Sequence, residues 1–171
     1  QPFYSNGTTW IPIATALPTG NVQTYAFTTT ANQIIAPLTD TVITMWTIAG
    51  PPPVYHTLPQ WNLATGVYTA TQATEKVCVA VDICWAAGIS NLGDRTLRIE
   101  YQANASIIWQ IASESVTQGE PNTSVETPQS CELNLLLSIG DKVRISVFHT
   151  APGNLQIAGG VHTSMTGFRL G

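Results

Sequence analysis

Charge is what this sequence has least of. Asp, Glu, Lys and Arg make up 9% of its 171 residues, against about 25% in ordinary soluble domains. The six Lys and Arg are scattered and the net charge is −4, so no basic cluster stands ready to neutralise phosphates, and a nucleic-acid partner is excluded. No apolar run in the sequence approaches the roughly 18 residues of a transmembrane helix, so membrane insertion is not expected. Sustained 3.6-residue periodicity is also missing. So are Gly-x-Ser-x-Gly, His-Glu-x-x-His, paired Cys-x-x-Cys and Walker-type loops, and with them the chemistry each spacing serves. No calcium loop of the Asp-x-Asp type occurs, so neither a metal nor another cofactor is expected. No secretory leader precedes Gln1 and the chain opens without Met, as expected of a processed chain or a segment of a longer one.

Cysteine is scarce and odd in number. Cys78, Cys84 and Cys131 cannot all pair within the chain. Cys78 and Cys84 fall on one expected strand, about 20 Å apart along it, too far for a bridge. All three are expected to be reduced and structural. The sequons at Asn6, Asn104 and Asn122 are of the number that chance supplies in a chain so rich in Thr and Asn.

What the chain does have is hydrophobic and β-branched. Hydrophobic residues reach 44%, and abundant Val, Ile and Thr favour strands over solvated helices. The length suits one domain with a sizeable core. A surface so poor in charge points to cover by identical subunits. Residues 1–20, with Asn6-Gly7 between aromatics and then Pro12 and Pro18, read as an irregular arm or neck, and 21–171 as the head. Strands are predicted over 22–30, 33–35, 41–48, 67–71, 76–85, 95–103, 105–113, 131–137, 143–147 and 161–170. The clearest is 76–85, where Val77, Val79, Val81, Ile83 and Trp85 share a core face and Cys78, Ala80, Asp82 and Cys84 the other. Ala103-Asn104 is read as a short hairpin connection. Pro51-Pro52-Pro53 and the polar stretch 114–130 are read as loops. Gly159-Gly160 marks a turn or bulge before the last strand. About ten short strands separated by turns make a sandwich or a barrel.

Three stretches carry a resemblance. Trp61-Asn62-Leu63-Ala64-Thr65-Gly66-Val67-Tyr68-Thr69-Ala70, Leu135 to Val143 with its Gly140-Asp141 turn, and Thr166-Gly167-Phe168-Arg169-Leu170 follow in order. They are similar to a hairpin, a late Gly-Asp turn and the terminal Ser-Gly-Phe-Leu-Leu strand of the globular head of the complement first-component q-subunit. Over residues 40–171 the chain thus resembles the tumour necrosis factor-like jelly-roll superfamily. It departs from the pattern where Thr74-Glu75-Lys76-Val77-Cys78-Val79 replaces a Pro-Gly-x-Tyr-x-Phe strand entry, as a distant member would. The resemblance implies an all-β, ten-stranded jelly-roll sandwich that is trimeric and forms the head of a stalk. It also implies an extracellular, virion or spore surface and no enzymatic activity. Phe168 is then expected as a core or subunit-packing anchor, and Gly140 in a turn with positive φ.

The candidate ligand or interface residues are Trp10, Trp61, Asp82, Arg144, His149 and His162. Trp46, Trp61, Trp109 and the Tyr4/Trp10 arm could offer a platform to a glycan, although burial is the commoner fate of Trp. Asp82 stands among apolar neighbours, facing solvent or pairing with Arg98 or Arg144 across a subunit interface. His149 and His162 could share neighbouring strands, and with His56 they are the only histidines; structural roles at backbone or interface are the plainer reading, since no third ligand stands at a characteristic spacing. The expected function is a homotrimeric head that binds a glycan or a cell-surface protein. The alternatives are a purely structural virion, fibre or spore-surface subunit, and thirdly a hydrolase or cupin-like enzyme.

Overall fold

The computed structural model describes residues 3–5, 10–12, 22–49, 60–86, 93–119 and 126–170. His56, the Pro51–Pro53 loop, the Asn6-Gly7 turn, and residues 120–125 of the polar loop lie outside them. For 3–5, 10–12 and 22 only the backbone is described, so Tyr4 and Trp10 have no described side-chain setting. Among the described residues there is no helix, and strands carry the fold.

Two antiparallel sheets face each other. One runs β11 (Gln110–Gln118), β10 (Asp94–Gln102), β13 (Lys142–His149), β8 (Val67–Thr69), β7 (Trp61–Asn62), with β5 (Thr41–Val42) also on β13. The other is built on β12 (Thr127–Leu137), β9 (Glu75–Trp85), β15 (Gly160–Leu170), β3 (Val22–Thr29) and β6 (Trp46–Ile48). Short β4 (Gln33–Ile35) and β14 (Leu155–Ile157) extend it. The six- and seven-stranded sheets are a jelly-roll sandwich, because long non-local pairings such as β9 with β15 and β3 with β15 join the two ends of the chain.

The alternation read in 76–85 is the alternation found, except that Cys84, read with the outward residues, is buried. Val77, Val79, Val81, Ile83 and Trp85 are buried between the sheets, opposite Leu97, Ile99, Val143, Ile145 and Val147. Tyr25, Phe27, Trp61 and Tyr68 make a contiguous aromatic cluster with centroids 5.5–6.2 Å apart, worth about 0.5–1.5 kcal/mol per pair beyond area burial. Gly167 explains one detail of this packing. It leaves room for the Tyr25 hydroxyl to donate to the Cys78 carbonyl at 2.5 Å, where a Cβ would collide with that carbonyl and with the Tyr25 hydroxyl. Burial drives the Tyr25 phenol far above its ordinary range, with the neighbouring Cys78 adding to it.

Several expectations need correction. The arm is not irregular throughout: β1 (Phe3–Ser5) pairs antiparallel with β2 (Trp10–Pro12) around the Asn-Gly stretch. The strand read over 41–48 is broken at Met45, φ 60°. There the chain leaves β13 for β3 and so crosses between sheets. The strand read at 105–113 begins instead at Gln110, because Tyr101 pairs with Gln110 and the backbone N–H of Asn104 is committed to Asp141. β11 therefore runs to Gln118 and takes the first part of the expected polar loop. Of the two roles expected of Phe168, core or subunit packing, the core is overturned. Phe168 is 38% exposed, because the inward residues of β15 are Thr163, Met165 and Arg169.

The Gly-Asp turn is as expected: Gly140 has φ 84°, a region that costs a non-glycine residue about 1 kcal/mol or more. Asp141 beside it is buried. Its carboxylate accepts from the Ser138 and Asn104 N–H groups at 2.8 and 2.9 Å and from the Tyr101 hydroxyl at 3.0 Å. Desolvation alone would raise this carboxyl, but those three donors hold it below the usual carboxylate range. One buried side chain thereby joins the β12–β13 turn to the 103–109 loop.

Candidate interaction surface

The two sheets turn different surfaces outward. On the six-stranded sheet two outward arginines, Arg98 of β10 and Arg144 of β13, are held by carboxylates and aromatic rings. Arg144 lies opposite Glu100 and donates to it at 2.7 Å, and its guanidinium sits 4.2 Å from the Trp109 ring centroid. Arg98 bonds Asp40 at 2.5 Å and Glu114 at 2.7 Å, and lies over Phe148.

The seven-stranded sheet presents rows of small or neutral side chains. Register places Asn134, Cys78, Phe168 and Thr24 in one row and Glu132, Ala80, Thr166 and Ala26 in the next. Its charges, Lys76, Asp82 and Glu132, enter no ion pair among the described residues. Beside Phe168, Leu136 and Leu170 a shallow groove of about 390 Å³ is lined almost wholly by apolar atoms. Leu136 is 66% exposed.

The residues singled out from the sequence are dispersed. Trp61 is a core residue, so it offers no platform, and Trp46 is buried with it. Trp109 is half-buried, with the Arg144 guanidinium stacked on its ring. Asp82 is exposed between Ser130 and Ser164, on the opposite sheet from Arg98 and Arg144, which bond other carboxylates. His149 and His162 do not share a sheet. His149 is fully buried on β13, edge-on to Trp85, while His162 is exposed on β15. His149 Nε2 lies 3.0 Å from the Ile35 carbonyl. A carbonyl only accepts, so Nε2 carries the hydrogen and the ring orients the β4 segment.

Sequence reasoning missed two groupings. In the interior, Arg169 donates to Glu75 at 2.6 Å. Glu75 also accepts from the Thr71 and Gln72 N–H groups, and Arg169 bonds Gln23. At the far end of the seven-stranded sheet, Cys84, Glu126 and His162 converge. The Cys84 thiol donates to Glu126 Oε2 at 3.2 Å, and His162 Nδ1 lies 3.5 Å from the same oxygen. The three donor atoms lie within 4.8 Å of one another, which is a metal-ligating arrangement. Burial, and then Glu126, push the Cys84 thiol up to about 11. The sequence signals were His162, already a candidate but set beside His149, and Cys84 on the small-residue face of its strand; Glu126, 42 positions from Cys84, gave none.

No family model matches the chain, and no curated protein matches it by sequence. Solved structures do match by shape. Eiger TNF from S. frugiperda superposes with a TM-score of 0.60 at 17% identity, covering 87% of this chain and 92% of that one. Murine APRIL at pH 5.0 gives 0.58 at 8% identity, covering 88% and 99%. The globular domain of the zebrafish complement 1qA protein, at 16% identity over 84% and 95%, reaches only 0.49. The first two establish a tumour necrosis factor-like jelly-roll fold.

Proposed function

We propose, with the tumour necrosis factor-like jelly roll as premise, that this chain is a non-enzymatic head which assembles as a homotrimer and binds a partner. The observation that carries this is the outward face of β9, β15 and β12. Cys78, Ala80, Thr166 and Phe168 form a patch there without ion pairs, flanked by the exposed Leu136. Exposed apolar area of this kind marks an interaction site. The occupant proposed is two further copies of the same chain, because a charge-poor surface lacks the complementarity a charged partner needs and closed cyclic symmetry is the usual way identical chains cover such a face.

The charged outer face and the loop tips would then remain for recognition of a cell-surface protein or a glycan, in a secreted, virion or spore-surface setting. Residues 1–20 serve as the neck and 21–171 as the head, and β3, whose first residue is Val22, pairs without them. No helix of the described residues is long and apolar enough to cross a membrane.

Light scattering at micromolar concentration should give the mass of three 18.3 kDa chains. A mass near one chain would overturn the assembly. Glycan-array and cell-binding assays then separate a binding head from a purely architectural subunit, which would be silent in both.

A further inference from the structure

We propose that Cys84, Glu126 and His162 form a binding site for one divalent transition-metal cation of the zinc class. Three separate chain segments bring the donors together. Cys84 sits near the end of β9, anchored where its carbonyl accepts from the Ala158 N–H at 2.8 Å. Glu126 immediately precedes β12, whose Thr127 and Pro128 pair with Trp85 and Cys84. His162 lies in the bulge of β15 between Gly160 and Ser164, where the strand loses its register with β3. Gly160 has φ 67°, and the Thr163 hydroxyl donates to the Ala158 carbonyl at 2.6 Å, which fixes the bulge. The bulge is therefore the device that carries His162 to the other two donors.

The donor set selects the cation. One thiolate, one imidazole and one carboxylate suit zinc and its neighbours, whereas magnesium and calcium require oxygen throughout. Tetrahedral zinc with bond lengths of about 2.0–2.3 Å holds its donors about 3.3–3.6 Å apart. The separations of 3.2 and 3.5 Å to Glu126 Oε2 are already close to this, and the sulfur and imidazole, within 4.8 Å of each other, would be drawn together by rotation of the exposed His162 side chain. Cys84 is 9% exposed, so the sulfur is held from within, while the carboxylate and the imidazole, 46% and 53% exposed, face the entry path. On binding, sulfur exchanges its proton for the cation and the proton passes to solvent. Three protein ligands leave the fourth position to water, as in open zinc sites. The site is complete within one chain, so it does not depend on the trimer.

The test uses the full chain, reduced and stripped with a chelator, titrated with Co²⁺ and then with Zn²⁺ against a chromophoric chelator. One Co²⁺ per chain is expected, with a near-ultraviolet thiolate-to-cobalt band that Zn²⁺ abolishes. Cys84→Ser should remove that band and Cys131→Ser should leave it. Glu126→Gln and His162→Ala should each weaken Zn²⁺ binding at least tenfold, with far-ultraviolet circular dichroism unchanged. Absence of saturable binding, or a band that survives Cys84→Ser, overturns the site. If Cys84→Ser does not fold, the exposed His162 decides the matter: affinity within twofold of the parent after His162→Ala also overturns it.

Discussion

The two outward faces of the sandwich are made by the same backbone rules and solve opposite problems. On the six-stranded sheet, Arg98 holds two carboxylates and an aromatic ring and Arg144 one of each, so the charge of both is matched within the face and that part of the surface is finished as it stands. On the seven-stranded sheet, Cys78, Ala80, Thr166 and Phe168 leave a patch with nothing to hold it. The ion pair between that sheet's β9 and β15, Glu75 with Arg169, is turned inward instead. In a chain with so few charges, placing the ion pairs on one face and inside leaves the other face with Lys76, Asp82 and Glu132 around a patch free for close contact.

The inward pair is the strongest way to break this division. Glu75 is fully buried and Arg169 nearly so. Removing one partner of a buried pair strands the other charge, at about 3–5 kcal/mol. Glu75→Ala should therefore lower stability by that amount in denaturant titration. A loss below about 1 kcal/mol would mean that the seven-stranded sheet does not need its hidden charge.

Asp141 comes next, on the turn that opens onto the six-stranded sheet. Its lowered pKa has a definite sign. The carboxylate contributes stability in full above the unfolded-state value near 3.9, and that contribution is lost as pH falls through the depressed folded value. Asp141→Asn keeps the shape but loses charge-assisted bonds worth about 1.5–3 kcal/mol in all. The gap between parent and variant should thus be widest near neutral pH and close in acid. A gap that does not change with pH would assign the effect to packing.

The smallest energetic effects sharpen the comparison of the faces themselves. Phe168→Asp is expected to cost the isolated fold no more than about 1 kcal/mol, since the side chain is 38% exposed, yet to reduce the mass in solution to that of one chain. Arg98→Ala on the other face should cost about 0.2–1 kcal/mol, because its partners Asp40 and Glu114 are exposed, and should leave the mass unchanged. Sedimentation of both variants across a dilution series reads the contrast directly. Equal behaviour of the two would remove the distinction between a finished and an unfinished face.

Much of the architecture was legible in the chain because side-chain direction in a strand alternates with period two. The run 76–85 declared its inward residues without help, as did Val143, Ile145 and Val147. Gly140 declared its turn, since the left-handed backbone there suits only a residue without a Cβ. The terminal Thr166-Gly167-Phe168 motif was legible as a strand, but its parity was not. Which face Phe168 takes depends on Gly167 lying over Tyr25, a residue 142 positions away in the sequence by their numbering. The candidate site was scarcely legible at all. His149 and His162 stand 13 apart in sequence by their numbering yet on opposite sheets, because the chain changes sheets between β13 and β15.

What the sequence determined by itself is therefore local: strand parity, turn chemistry, the shortage of charge and the absence of helical patterning. Tertiary structure decided which scarce charges are paired, which face carries a patch without ion pairs, and that Cys84, Glu126 and His162 meet. Those outcomes depend on register between strands far apart in the chain. Register is set by the joint packing of the whole core, and no single segment carries that information.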